Sequence, residues 1–494
     1  MSEKIVTRFA PSPTGFMHIG NLRTALYSYL LSKSQDGKFI LRIEDTDQVR
    51  FVEGATDVIL KTLEMTGINY DEGPDKGGEN GPYIQSERLP IYKKYAEMLV
   101  ESGHAYYCFC SAERLESLKD DKGIGGYDGH CRDLSKEEIE KNLAEGKPYV
   151  IRQKMPLTGT TSYVDEVYGE VSIENSELRD QIMIKADGYP TYNFCHVVDD
   201  FLMGVTHVVR GNEYLTSTPK YCLLYDAFGW ERPHYVHLPL LMGKDADGNV
   251  SKLSKRHGAV SFQDLVNSGY LPEAIINYIA LLGWSPKEST EEFFTMDDLK
   301  KTFSMEGLSK SPAVFDYEKL KWFNSEYIKK MSEEDYNAKA LPIIKKLIEE
   351  YCYKVRFKKK DIKKIAGLLH TRIATFGEIE EQIQFLFNKN KLDMDVELYT
   401  NKKNKTTPEL CKKILVETRP LLEKIKATDW NNDKLFETLK QYSADAEIKA
   451  GAVMWAIRIA IARQSVTPGG ATELMEIFGK TKTLERIKLA ISEL

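Results

Sequence analysis

The chain has 494 residues, 42% of them hydrophobic and 29% charged, with a formal net charge of −6. At about 150 residues per domain this length excludes a single core, and the apolar content excludes a disordered chain. The opening MSEKIVTRFA lacks a secretory apolar segment, and no run reaches the ~18 uncharged apolar residues of a membrane span, so a cytoplasmic protein with no membrane partner is expected. Seven cysteines, an odd number, fit a reducing compartment with free thiols or metal ligands better than a disulfide framework.

In chain order, IVTRFA predicts a strand, PSPTG a turn, and Leu22, Leu26, Tyr29 and Leu30 a helix running from His18. A second strand follows over Phe39 to Ile43 and ends in acids. This β-α-β order predicts a parallel sheet whose ligands lie beyond the strand carboxyl ends, with residues near 10–20 and 44–47 lining one crevice. The segment from HAYYCFC to about Arg179 changes character, being Cys-bearing, Gly-rich and short-stranded, and is expected as an insertion. The sheet is expected to resume through YPTYNFCHVVDDFLMGVTHVVRG, and GKDADGNVSKLSKRHG reads as a polar, mobile loop. Helical periodicity dominates from Phe262, and beyond about Ser325 the chain is expected to be all-helical. The fold class is therefore multi-domain α/β plus all-α. A Rossmann-like catalytic domain spans 1–105 and 180–240, an inserted α+β subdomain 106–179, a helical domain 241–325 and a helical region 326–494.

Two motifs carry chemistry. In Pro11-Ser12-Pro13-Thr14-Gly15-Phe16-Met17-His18-Ile19-Gly20-Asn21, a His donor beside a side-chain-free Gly at a helix N-terminus lets adenine approach the backbone while imidazole and amides meet phosphate. In Lys252-Leu253-Ser254-Lys255-Arg256, lysines can close on a polyphosphate and neutralise a departing pyrophosphate. Taken singly, each reads as well as a capped helix or a solvated turn. No Gly-x-Gly-x-x-Gly follows a strand, which argues against a dinucleotide-dependent oxidoreductase.

This pair, about 230 residues apart, resembles the two signatures of class I aminoacyl-tRNA synthetases, departing at Asn21, Leu253 and Arg256. The longer strings TRFAPSPTGFMHIGNLRTAL, LRIEDTD, DGYPTYNFCHVVDDFLMGVTHVVRG, GYLPEAIINYIALLGWSP and SPAVFDYEKLKWFN are similar to bacterial glutamyl-tRNA synthetases over about the first two-thirds of the chain. The resemblance implies ATP-dependent ligation of L-glutamate to its tRNA through a glutamyl-adenylate, with Mg2+ on the ATP and a monomeric enzyme. It implies His18, Lys252 and Lys255 as catalytic, with Thr14, His18, Gly20, Asn21 and Lys255 on ATP. It implies Arg8 at the glutamate side-chain carboxylate, where a guanidinium fork suits the oxygen pair. Ser12 and Glu44 then hold the α-amino group, Arg210 lies near the α-carboxylate, and Tyr192 and His196 make further contacts. A glutamine-specific synthetase carries β-barrel anticodon domains that this tail lacks, and a tRNA-base glutamylating relative stops before the helical third. A catalytically dead RNA-binding regulator would be expected to have lost His18 or Lys255. Whether the tRNA for glutamine is also charged turns on a few anticodon contacts.

Cys108, Cys110 and Cys131 can supply three ligands of a tetrahedral zinc site, with Tyr127, His130 or Asp133 as the fourth. Zinc-binding members of the resembled family share the Cys-x-Cys and Tyr-x-x-x-Cys spacing, which implies Tyr127. Cys195, Cys222, Cys352 and Cys411 have no ligand-like spacing. Between Leu341 and His370, nine Lys/Arg face three acids, interleaved with Tyr351, Tyr353 and Phe357. Such a segment can be a solvated helix face or can lie on RNA, where bases stack on aromatic and Arg planes. Lys354, Arg356, Lys358 and Arg372 are the expected tRNA contacts.

Overall fold

Strand β1 (Val6–Phe9) runs into the Pro11–Gly15 turn, where Gly15 takes a φ of 118° that a side chain would strain. The chain then enters a helix over Ile19–Lys33. Leu22, Leu26 and Leu30, one turn apart, are wholly buried, each contributing roughly 1.5–3 kcal/mol by leaving water. The helix returns the chain to β2 (Lys38–Leu41), parallel to β1 with Arg8 opposite Ile40.

The computed structural model describes residues 4–118, 126–245, 247–254, 257–287, 289–351, 359–387 and 395–494. They form two compact units, Met1–Val266 with Pro272–Tyr317, and Asn267–Leu271 with Glu318–Leu494. In the first unit β3 (Ala105–Cys108), β4 (Val150–Gln153) and, later in the chain, β7 (Ile182–Ile184) make one antiparallel sheet. Between them β5 (Thr160–Asp165) and β6 (Gly169–Glu174) form a hairpin. Next come β8 (His207–Gly211) and β9 (His234–Leu238), parallel to each other with Arg210 directly opposite His237. β5 joins β9 in parallel at Asp165 and Tyr235, so the 106–179 segment gives two strands to the sheet that carries Arg210. The Thr206 N–H donates to the Val6 carbonyl at 2.9 Å, placing β8 beside β1. The parallel run is thus β9, β8, β1, β2, with ligand-facing ends on one side.

Two stretches differ from the sequence reading. Within the string expected to resume the sheet, Tyr192–Leu202 is a helix; its Phe194, Cys195, Val197 and Val198 pack against Tyr92, Met183 and Tyr221. The 243–258 stretch, expected as a loop, takes in the end of β10 (Leu241–Lys244) and the whole of β11 (Val250–Lys252), paired with Met242 opposite Lys252. A glycine turn at Gly248 closes this hairpin, and β12 (Ala313–Phe315) pairs with β10 from the other side. The polar run hid two short strands that pair with each other, one of them also with a strand from further along the chain.

In the second unit, no strand follows Phe315 among the described residues beyond a bridge between Asn401 and Thr406. Helices cover Glu333–Tyr351, Lys359–Leu369, Ile379–Phe387, Pro408–Lys424, Asn432–Asp445, Ala450–Ala462 and Ala471–Glu493. Ala450–Ala462 is apolar nearly all round and is the buried member, with Val453, Ala456, Ile457 and Ala460 inside. No helix of the described residues is long and apolar enough to cross a membrane.

Candidate active site

A cavity of about 770 Å³ opens beyond the ends of β1, β2, β8 and β9. Both the Pro11–Asn21 and Glu44–Asp47 stretches line it. Toward one end are Thr14, His18, Gly20, Asn21 and Lys252; toward the other are Arg8, Ser12, Glu44, Tyr192 and Arg210. His196 does not line the cavity but sits behind Arg210, and Lys255 lies outside the described residues.

His18 is the N-cap of the first helix: its Nδ1 accepts from the Gly20 N–H at 3.0 Å. A Cβ on Gly20 would stand 3.2 Å from that nitrogen, tight enough to push the ring away. Burial and then the Lys252 charge lower the His18 pKa against the pull of a hydrogen bond to the Leu253 backbone, so the ring is neutral at pH 7 and carries its proton on Nε2. The Ile19 N–H donates to Val260 and the Phe262 N–H to Met17, which fastens the segment after the second motif to the start of the helix. Hence His18 and Lys252 come together although 234 positions separate them in the sequence.

Behind the other end lies an ion network that sequence reasoning did not find. Three buried arginines meet three buried acids. Arg8 Nε is 3.0 Å from Asp200 Oδ1, and Arg42 reaches Asp200 at 2.9 Å, Glu44 at 3.2 Å and Asp199 at 3.5 Å. Arg88, Gln85 and Tyr92 also donate to Asp199. Burial would raise the Asp200 carboxyl, but Arg8 and Arg42 prevail and hold it at about 2. Burial pushes the Glu44 carboxyl up to about 7 against the pull of Arg42 and Arg8. The available signal was two consecutive acids inside an otherwise apolar stretch, since such acids need buried cations.

Arg210 is buried differently. Among the described residues no carboxylate lies within salt-bridge distance of it. Its Nε donates to His237 Nε2 at 3.0 Å, Nη2 donates to Thr218 Oγ1 at 2.6 Å, and Nη1 stands 3.4 Å from His196 Nε2. Tyr214, Tyr221 and Tyr235 surround its carbon at 4.9 to 5.5 Å. His196 Nδ1 lies 2.6 Å from the Tyr192 carbonyl, which can only accept, so its Nε2 is a lone pair. Burial and then Arg210 push the His196 pKa down to about 3. A buried cation with neutral partners and a face on a cavity is a receptor for an anion.

The Cys108, Cys110 and Cys131 sulfurs lie within 4.8 Å of one another, with Cys110 and Cys131 at 3.6 Å. Tyr127 belongs to this cluster, its oxygen accepting from the Cys131 N–H at 2.8 Å under Arg152. Asp133 instead pairs with Lys154 at 3.1 Å, and His130 is exposed. Burial and then the neighbouring Cys131 and Cys108 sulfurs push the Cys110 thiol up to about 12. Cys195, Cys222 and Cys411 are buried core residues; Cys352 lies outside the described residues.

In the helical unit Lys354, Arg356 and Lys358 lie outside the described residues. Arg372 is exposed and close enough to Arg458 that its charge, after burial, lowers the Arg458 pKa. Arg458 stacks 4.7 Å from the Trp455 ring, and both border a hollow of about 440 Å³. Neither arginine has a carboxylate partner among the described residues. Trp455 and Arg458 were missed, and their signal was an aromatic and a cation three positions apart on an apolar helix.

A nucleotide-sized crevice with a capped helix N-terminus beside a basic hairpin, on a parallel sheet followed by a helical unit, is the plan of a class I tRNA synthetase. Residues 4–322 match the family described as tRNA synthetases class I (E and Q), catalytic domain, and residues 319–491 match the family described as anticodon binding domain. The chain belongs to the glutamate–tRNA ligases. It is 53% identical over 493 residues to the glutamate–tRNA ligase of Clostridium novyi (strain NT), covering 100% of this chain and 99% of that one. With the glutamate–tRNA ligase of Clostridium acetobutylicum it shares 54% identity over 497 residues, again covering 100% and 99%. Among solved structures it superposes on a glutamate tRNA ligase from Elizabethkingia meningosepticum, in complex with its amino acid, at a TM-score of 0.86, 36% identity and full coverage of both chains. The glutamate-tRNA synthetase of Elizabethkingia anophelis gives 0.88 at 35% identity, covering 99% and 100%.

Proposed function

We propose that this chain ligates L-glutamate to its tRNA in two ATP-dependent steps. The observation that carries the reading is the cavity itself: Arg210, a guanidinium without a carboxylate partner among the described residues, lines one end with Arg8 and Glu44, and the His18 cap and Lys252 line the other. Arg8 takes the side-chain carboxylate, Glu44 with Ser12 the ammonium, and Arg210 with Tyr192 the α-carboxylate. His196 acts through Arg210. In the first step an α-carboxylate oxygen attacks the α-phosphorus of ATP, the bond to the bridging oxygen breaks, and pyrophosphate leaves with the electron pair. Thr14, Gly20 and Asn21 border the nucleotide, His18 donates from Nε2, and the lysines of the second motif, Lys252 and Lys255, offset the charge that grows on the leaving group. In the second step a terminal ribose hydroxyl of tRNA attacks the adenylate carbonyl, transfers the glutamyl group and releases AMP. Catalysis is positioning and charge stabilisation, with no protein nucleophile. Mg2+ arrives on ATP and offsets phosphate charge.

Cys108, Cys110, Cys131 and Tyr127 would hold one zinc ion, whose part would be structural, to tie β3 to the 127–131 loop. Arg372, Trp455 and Arg458 give the helical unit cationic and aromatic surfaces for unstacked anticodon bases, and Lys354, Arg356 and Lys358 extend the charge. Aminoacylation with purified tRNAs for glutamate and for glutamine tests the function. Transfer of labelled glutamate to the glutamate tRNA, dependent on ATP, is expected; no transfer would overturn the reading.

A further inference from the structure

Arg210 owes its aim to residues outside the cavity. In the parallel β8–β9 pair its cross-strand neighbour is His237, whose ring is fully buried. His237 Nδ1 lies 2.6 Å from Asp165 Oδ2, also fully buried. A carboxylate there accepts a hydrogen bond from Nδ1–H and so keeps the proton on Nδ1, which leaves Nε2 as the lone pair that receives Arg210 Nε–H at 3.0 Å. Asp165 is fixed in turn: Oδ1 accepts from the Val167 and Tyr168 N–H groups at 3.0 and 2.9 Å, and Oδ2 also accepts from the His237 N–H at 3.2 Å. The Thr218 hydroxyl donates to the Tyr214 carbonyl at 2.8 Å, so its oxygen likewise faces Arg210 as an acceptor. Two edges of the guanidinium are thereby held by groups that can only accept from it.

We propose that Asp165 and His237 are positioning residues for substrate selection: the carboxylate fixes the His237 tautomer, and the imidazole holds the Arg210 guanidinium aimed at the α-carboxylate of glutamate. The pair makes no contact with substrate. This rests on the reading that Arg210 takes that carboxylate. An acid salt-bridged directly to Arg210 would compete with the substrate anion, whereas a neutral imidazole supplies the hydrogen bond without spending the charge. The carboxylate that balances the site sits one ring further away.

Asp165→Asn keeps the volume and the turn contacts through its remaining oxygen. Its amide then faces two N–H groups of His237, which drives the imidazole to the other tautomer and turns a donor toward Arg210. In the full-length enzyme, Asp165→Asn and His237→Ala should each raise the KM for glutamate by ~10-fold or more, with the KM for ATP changed less than about twofold. His237→Gln, which retains an acceptor, should recover part of the loss. Inhibition by L-isoglutamine, whose α-carboxyl is an amide, should be nearly unaffected, because that analogue makes no use of the aimed charge. Should His237→Ala fail to fold, Asp165→Asn and His237→Gln carry the test, with thermal unfolding as the control. Equal weakening of glutamate and isoglutamine, or a glutamate KM unchanged in Asp165→Asn, would overturn the proposal. Arg210→Lys separates the two readings. A normal glutamate KM in that variant sinks the assignment of Arg210, whereas a raised KM beside an unaffected Asp165→Asn sinks only the relay.

Discussion

Arg8 and Arg210 are both buried guanidinium groups near one cavity, yet their surroundings assign them different balances of structure and binding. Arg8 already neutralises Asp200, which it shares with Arg42, and Arg8 Nη1 also donates to the Val209 carbonyl at 3.3 Å. Removing it therefore leaves Asp200 with Arg42 as its one buried cation and takes away the proposed substrate contact. Arg8→Ala is expected to lose about 2–5 kcal/mol in kcat/KM for glutamate and to lower the urea midpoint as well. Arg8→Lys should keep most of the stability and recover little of the activity, since an ammonium lacks the fork. Steady-state kinetics beside urea titrations check both. Glu44 brings a pH dependence. Its pKa is raised from about 4.5 to about 7, so the folded state prefers the protonated acid. The stability it contributes is full below pH 4.5 and is lost between 4.5 and about 7, a cost of about 3 kcal/mol for the bare carboxylate. A substrate ammonium needs that carboxylate and repays the cost. Accordingly kcat/KM for glutamate should climb with pH to a plateau above about 7, and Glu44→Gln should flatten that limb; a flat wild-type profile would contradict the assignment.

Among the elements, the first helix and the knuckle around Cys108 each rest on one local device. His18 caps the helix only because Gly20 leaves room for its ring, so Gly20→Ala should raise the KM for ATP about tenfold. The glutamate KM should move far less, because Arg8, Glu44 and Arg210 come from other strands and loops. In the knuckle, elemental analysis of protein never exposed to chelator should find about one zinc per chain. Cys110→Ser should abolish that metal while leaving the buried network of Asp199 and Asp200 intact, and less than a tenth of an equivalent in active wild-type protein would argue for unligated thiols. Pairing explains what sequence periodicity could read at this scale. The first helix and the helical tail carry their own 3.6-residue pattern, whereas β10 and β11 are short strands that pair with each other, and β10 takes its second partner, β12, from 72 positions further along the chain.

For the molecule as a whole, the two units suggest separable tasks. A chain ending at Lys330 keeps the cavity and loses the Trp455–Arg458 surface, although Gly269 then loses the Phe376 N–H it accepts from at 3.0 Å. It should bind ATP within a few-fold of normal while its KM for tRNA rises sharply. In the full chain, charge-removing substitutions across Lys354, Arg356 and Lys358 should flatten the log–log salt dependence of tRNA binding by roughly 0.7 to 0.9 per lost phosphate contact. Unaltered tRNA affinity and salt slope would place recognition wholly in the first unit. The amino-acid sequence by itself indicated the class of fold, the helical tail and the stretches near residues 10–20 and 44–47 that line the crevice, because a helix cap, a turn and an amphipathic repeat are set by neighbours a few positions apart. Only the tertiary structure decided that Asp199 and Asp200 neutralise Arg8, Arg42 and Arg88, and that Asp165 and His237 stand behind Arg210. Those partners are 27 to 192 positions apart in the chain. Their meeting follows from strand register and from the need of every buried charge for a partner, and neither condition leaves a local pattern in the sequence.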